Sequence, residues 1–144
     1  MTVLKHIVGA DRLVDRFGRW PSFHDAVIIR ITFDSVGVSG PTAEMLAHTW
    51  AMTDTVNEKG YYVLEKHTLV RFRFEHLISF ELSDFSCPAI LNRLSFEPDT
   101  VDGKTVVRVT LDPCAGFGGT LTCGRVVVAD VTPADAHGHA AAAR

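Results

Sequence analysis

The chain has no long hydrophobic run, no paired cysteine motif and no excess of basic charge. Its longest uninterrupted apolar runs, such as 26–29 and 126–129, hold four residues, whereas a membrane-spanning helix needs about 20. Its 14 Lys and Arg residues are outnumbered by 17 Asp and Glu residues, so the basic footprint typical of a nucleic-acid-binding protein is missing. We therefore expect neither a membrane partner nor direct binding of nucleic acid.

Signals for disulfides and for secretion are equally scarce. The chain has 3 cysteines, an odd number without CxxC spacing, which favours reduced thiols over a disulfide framework or a zinc site. Asp11 and Asp15 interrupt the N-terminal segment where a secretory leader would need an apolar core. These two features predict a cytoplasmic protein.

Sequence motifs for catalysis and for metal binding are also missing. His48, His67 and His76 fall on different predicted elements without HxH or HxxxH spacing, so we predict no metal site. The glycine-rich segment 114–120 lacks the GK[ST] of a phosphate loop, and no serine lies in a GxSxG elbow. We expect no enzymatic activity and no cofactor.

The chain is rich in strand patterns instead. Residues 3–17 repeat apolar positions every three or four residues, which predicts a helix that Gly18 can end. Alternation of polar and apolar residues then predicts strands. These are 27–33, 43–52, 69–75, 77–84, 94–97, 106–112 and 121–131, with a solvated loop at 53–60 and a short helical turn within 85–92.

The connections between these strands are too short for helical crossovers, which favours antiparallel pairing. The predicted fold class is α+β, with an N-terminal helix packed on a curved, mainly antiparallel sheet of about seven strands. We expect a single globular domain over residues 1–132 and a disordered C-terminal tail over residues 133–144.

The segment that joins the predicted helix to the first strand concentrates aromatic and ionisable side chains. In one interpretation Trp20 and Phe23 supply contact area for a recognition surface, and His24 and Asp25 supply polar anchors. In the other, the aromatic pair plugs the open end of the sheet and the polar pair bonds to backbone groups. As sequence neighbours on an extended segment, His24 and Asp25 are expected to point to opposite faces, which disfavours a catalytic dyad.

A second aromatic concentration flanks the predicted loop at 53–60. Trp50 precedes this loop and Tyr61 follows it. One side of this hairpin could be exposed for binding, or its aromatic side chains could pack on the sheet. The candidate binding residues are Trp20, Phe23, His24, Asp25, Trp50 and Tyr61.

The stretch WPSFHDA at 20–26, followed by an alternating strand, resembles the opening motif of a bacterial polymorphic-toxin immunity family, immunity protein 50. The blocks FRFE at 72–75 and LSDF at 82–85, and the glycine-containing loop at 116–119, are similar to the same family. The stretch SCPA at 86–89 departs from the polar stretch that the family has there. The resemblance covers about residues 15–131.

This resemblance implies a non-enzymatic immunity protein, made beside a secreted toxin, that binds the toxin domain in the producing cell's cytoplasm and blocks it. After residue 30 the chain carries 14 acidic and 9 basic residues, which would favour a basic partner. The alternative function is a small-ligand-binding domain or an enzyme with a pocket at the junction from Trp20 to Asp25. That alternative requires His24 and Asp25 to converge in an open cleft with an apolar wall.

Overall fold

Strands make up most of the chain in the computed structural model, which describes residues 6–37 and 40–140. Strand accounts for 67% and helix for 7%, so the protein is mainly β. In chain order the elements are β1 (Ile7–Val8), α1 (Ala10–Phe17), β2 (Val27–Asp34), β3 (Thr42–Val56), β4 (Tyr62–Ser83), β5 (Ile90–Val101), β6 (Lys104–Ala115) and β7 (Gly118–Pro133).

The strands form one sheet in the order β1-β7-β4-β3-β2-β5-β6. Because β6 also pairs with β7, the sheet closes on itself. Within the described residues the pairings are antiparallel except for that of β1 with β7. The prediction of one helix and about seven mainly antiparallel strands is confirmed at this level, but the sheet is mixed.

The predicted helix at 3–17 is too long. The helix begins at Ala10, and Ile7–Val8 instead forms a short strand parallel to β7. Gly9 separates the two elements with a φ of 80°, a left-handed conformation that glycine adopts without steric cost. Residues 3–5 of the predicted helix lie outside the described residues. Gly18 ends the helix as predicted, with its N–H donating to the carbonyl of Val14.

Buried and hydrogen-bonding side chains connect α1 to the sheet. Leu13 is fully buried in the core. Arg16 donates from Nε to the hydroxyl of Thr68 at 2.9 Å and from Nη2 to the carbonyl of His67 at 3.1 Å. The last turn of the helix is therefore tied to β4.

The strands are longer than the alternation predicted. β3 continues through the predicted loop to Val56, and β4 is one strand where two, 69–75 and 77–84, were expected. Positive φ values at Lys66 and His76 mark irregular points of β4. Such points shift the alternation without ending the strand, which explains the apparent division at residue 76. No helical turn forms at 85–92, where all the residues are described.

The core is built from cross-strand pairs of large and small side chains. Phe74 and Phe72 on β4 lie opposite Ala43 and Met45 on β3, and these four residues are fully or almost fully buried. Burial of each phenylalanine side chain stabilises the fold by roughly 1.5–3 kcal/mol. These buried pairs therefore hold β3 and β4 together.

The segment after β7 has local structure as far as Ala140, although a disordered tail was expected from residue 133. Ala134 pairs with Ala140 as an isolated bridge, and the N–H of Ala134 donates to the carbonyl of His67 at 2.8 Å. A turn across 135–139 places Gly138 against the ring of His48. Residues 141–144 lie outside the described residues.

Candidate functional site

Residues 50–65, which we call the hairpin arm, project beyond the rest of the sheet. The pairing of β2 with β3 stops at His48, and the pairing of β4 with β7 starts only at Thr68. Between these levels β3 and β4 pair only with each other, through Ala51 with Glu65 and Met52 with Leu64. Among the described residues, the arm is therefore a two-stranded hairpin with no neighbouring strand at either edge.

The arm carries an unusual amount of exposed apolar surface. Six large apolar side chains on it are exposed, with Tyr61 at 68% and Met52 at 55%. They are Met52, Val56, Tyr61, Tyr62, Val63 and Leu64. Contiguous exposed apolar surface on a folded protein is typical of an interaction site. The arm is thus the first part of the candidate site.

The tip of the arm is an ordered turn. The side-chain oxygen of Asn57 accepts hydrogen bonds from the N–H groups of Lys59, at 2.9 Å, and Tyr61, at 3.1 Å. The N–H of Asn57 also donates to the carbonyl of Tyr61 at 2.8 Å. These bonds fix Tyr61, the candidate binding residue on this turn, at the tip.

The second part of the site is the junction, residues 18–26. Phe23 and Asp25 adopt positive φ values of 59° and 65°, which are uncommon for residues with side chains. The N–H of Asp25 donates to the carbonyl of Leu91 at 2.8 Å, and the N–H of Leu91 donates to the carbonyl of Ala26 at 2.9 Å. The junction therefore turns away from β3 toward β5.

The aromatic pair of the junction belongs to the core. Phe23 is only 1% exposed, and Trp20 is partly buried with its ring edge-on to Phe23 and Phe96 at 5.9 Å each. Of the two interpretations of this pair, the structure supports the plug. Phe23 is inaccessible to a partner, so we remove it from the candidate binding surface, and we assign Trp20 to packing.

His24 and Asp25 do not point to opposite faces, as the sequence led us to expect. Nε2 of His24 lies 3.6 Å from Oδ2 of Asp25, and both side chains are about half exposed. The expectation failed because the segment is a turn with left-handed residues rather than an extended strand. Nδ1 of His24 lies 3.0 Å from the carbonyl of Asn92. A carbonyl can only accept, so Nδ1 carries a proton.

A cleft of about 430 Å³ separates the junction from the base of the arm. Of the predicted binding residues, His24 and Trp50 line it, whereas Asp25 and Tyr61 lie outside its wall. The complete lining is Phe17, Arg19, Pro21, Ser22, His24, Trp50, Ala51, Met52, Glu65 and Lys66. The tertiary structure therefore brings His24 of the junction and Trp50 of the hairpin arm to the same cleft.

Several lining residues were missed by sequence reasoning. Arg19 borders the WPSFHDA motif, but its contribution depends on where the junction turns. Met52 was the last residue of a predicted strand, and Glu65 and Lys66 lay in no predicted element. The alternation of threonine with acidic and apolar residues in TDTV at 53–56 was a signal that β3 continues into an arm.

A pair of imidazoles lies behind Trp50. Nε2 of His48 is 3.0 Å from Nδ1 of His67, and the ring of Trp50 packs against both at 4.9 and 5.8 Å. Burial and the neighbouring His67 lower the pKa of His48, against a smaller opposing effect of Asp135. Spacing along one strand could not reveal this pair, because its members come from β3 and β4. It fixes one wall of the cleft.

Among the described residues, potential metal ligands do not cluster, and one cysteine thiol is fully buried. Within residues 6–37 and 40–140, no group of three or more His, Cys, Asp or Glu side chains is arranged to hold a metal ion. Cys123 is completely buried, and burial raises the pKa of its thiol to about 12. This thiol therefore stays protonated at neutral pH and is a poor nucleophile.

Comparison of the chain with protein-family models, with curated proteins and with solved structures found no match. The resemblance to the immunity protein 50 family therefore rests on the quoted sequence blocks alone and stays a prediction. Among the described residues, no helix has the length and apolar character needed to cross a membrane.

Proposed function

We propose that this chain is an immunity protein that binds a cognate secreted toxin in the cytoplasm of the producing cell and blocks its activity, without catalysis of its own. Two lines of support are independent of each other. The class of partner follows from the resemblance of WPSFHDA and the later blocks to the immunity protein 50 family. The contact surface follows from the hairpin arm and the cleft at its base.

The observation that carries the proposal is the exposed apolar surface of the arm. A two-stranded hairpin gains little from burial of its own side chains, so six exposed large apolar residues there are not explained by folding. Aromatic side chains such as Tyr61 and Tyr62 provide large contact areas with few rotatable bonds. A tightly held turn at the tip keeps the ordering cost of binding low.

The cleft beside His24 favours the alternative, a site for a small molecule, as a second candidate. Its volume lies within the usual range for ligand sites, roughly 300–1,000 Å³. The convergence that this alternative required is only partial, because Asp25 is not part of the lining and His24 is bonded to the Asn92 carbonyl. We therefore rank it second.

Co-expression and binding test the proposal. We expect the chain to rescue growth of cells that express the toxin encoded by the adjacent gene, and to form a complex with that toxin domain. Leu64→Ser in the arm should weaken the complex roughly 10-fold or more, since the loss of one well-packed apolar contact is worth over 1 kcal/mol. Calorimetry gives the dissociation constant.

The matched control is Ile78→Ser, which makes the same kind of change on the same strand outside the arm. Leu64 is 38% exposed and Ile78 is 50% exposed, so neither substitution should unfold the protein. We expect Ile78→Ser to bind the toxin as tightly as the native chain. The proposal fails if the native chain neither rescues growth nor binds the neighbouring toxin. Turnover of a substrate by the purified chain, lost in His24→Ala, would establish the second candidate instead.

A further inference from the structure

The edge of β3 that faces the cleft is open. β2 would cover this edge if it extended backward from Val27, but the junction turns toward β5 instead. Within the described residues, no backbone hydrogen bond joins residues 18–25 to residues 50–56. An open edge presents unpaired N–H and C=O groups that an extended segment of another chain can pair with.

The charge of the cleft is opposite to that of the chain as a whole. Arg19 and Lys66 line it with His24, whereas Glu65 is the one carboxylate in the lining. Neither Arg19 nor Lys66 forms an ion pair with a carboxylate of the described residues. The overall acidic excess predicted a basic partner, but this local surface is complementary to an acidic segment.

The cleft has apolar lining residues as well as the two basic ones. Trp50 is fixed by its contacts with the two imidazoles, and Phe17 and Met52 also line the cleft. Long basic side chains combine an apolar stem with a charged end. A carboxylate-bearing side chain in the cleft can therefore contact cations and apolar surface together.

We propose that the toxin places an extended, acidic segment along the edge of β3 at residues 50–56, with an Asp or Glu side chain in the cleft between Arg19 and Lys66. This inference rests on the proposed toxin binding and specifies its geometry. The segment forms an added strand beside β3. Its backbone provides affinity, and the cleft selects its charged side chain.

Hydrogen exchange of the native chain, alone and in complex with the toxin domain, tests the added strand. We expect the amides of residues 50–56 to exchange at least roughly 10-fold more slowly in the complex. If these amides are already protected in the isolated chain, and the protection grows with protein concentration, a second copy of the chain occupies the edge. That result would overturn the inference.

Charge reversal tests the acidic side chain. Arg19→Glu and Lys66→Glu should each raise the dissociation constant of the toxin complex roughly 10- to 100-fold, because a like charge then faces the carboxylate. Lys104→Glu is the matched control, since Lys104 is exposed at the turn between β5 and β6. It changes the net charge equally and should leave the affinity within about 2-fold.

The outcomes separate this inference from the proposed function. If the native chain binds the toxin, but residues 50–56 are not protected and both charge reversals bind normally, only the inference is wrong. If the charge reversals weaken binding but the edge of β3 is not protected, the added strand is wrong, and the inference fails in that form. If the native chain does not bind the toxin at all, the proposed function and the inference both fail.

Discussion

Burial decides the role of individual aromatic residues in this chain more than residue type does. Trp20 and Tyr61 both come from the aromatic concentrations of the sequence, yet Trp20 packs on Phe23 and Phe96 while Tyr61 stands at the tip of the arm. A substitution to alanine therefore has different consequences at the two positions.

Trp20→Ala should lower the free energy of unfolding by about 3 kcal/mol, because it leaves a void beside Phe23 and Phe96. Tyr61→Ala should change it by less than about 0.5 kcal/mol, because the side chain is 68% exposed. Urea denaturation followed by circular dichroism measures both values. Equal stability of the two variants would contradict the assignment of Trp20 to the core.

At the scale of elements, the hairpin arm differs from the strands that carry it. β4 has neighbours on both sides from Thr68 to Glu75, but among the described residues it has only β3 beside it in the arm. The side chains of the arm contribute little to the core, and an isolated hairpin is marginal in water. Local opening of the arm should therefore cost much less free energy than opening of the central part of β4.

We expect the amides of residues 51–65 in the isolated protein to exchange on the order of 100-fold faster than those of residues 69–74. Residues 69–74 are suitable for comparison because they continue β4, one of the two strands of the arm, and are paired on both sides. Hydrogen exchange measured by NMR gives both rates. Similar protection of the two segments would show that the arm has a partner already in the isolated protein.

At the scale of the whole molecule, two buried ionisable side chains couple stability to pH. Burial raises the pKa of Glu75, but hydrogen bonds from Arg73, at 2.7 Å, and from Nε of Arg125, at 2.6 Å, outweigh burial and lower it below its usual 4.5. The pKa of His48 is also lowered, from 6.5, chiefly by burial. In both cases the unfolded chain takes up its proton at a higher pH than the folded chain does.

Acidification should therefore reduce stability in two steps. The first step begins as the pH falls through about 6.5, because His48 then takes up a proton in the unfolded chain but not in the folded chain. It ends once the pH is below the pKa of His48 in the folded chain. The second begins below about 4.5, where Glu75 is protonated first in the unfolded chain. Urea denaturation at a series of pH values measures both steps.

His48→Gln should flatten the upper step, and Glu75→Gln should flatten the lower one. Glu75→Gln should also lower the free energy of unfolding at pH 7 by about 1.5–3 kcal/mol, the usual contribution of hydrogen bonds to a charged group. His76→Gln serves as the control for the first variant, since His76 is exposed. If the upper step is unchanged in His48→Gln, the assignment of this step to His48 is wrong.

The sequence predicted the strands well where one face is buried. In β6, Val107, Val109 and Leu111 are buried and alternate with more exposed residues, and the strand predicted at 106–112 lies within Lys104–Ala115. Prediction failed where alternation shifts within a continuous strand, as at His76, and where a strand leaves the core, as in the arm beyond Trp50. In those places no buried face imposes the two-residue repeat.

By itself, the sequence determined a mainly antiparallel sheet, a helix that ends at Gly18, and two concentrations of aromatic residues, because these depend on local periodicity and turn chemistry. Only the tertiary structure decided that Trp20 and Phe23 fill the core while His24 and Trp50 share a cleft. The reason is physical: the left-handed turns at Phe23 and Asp25 and the closure of β6 onto β7 are set by packing between distant segments. Periodicity within one segment carries no information about that packing.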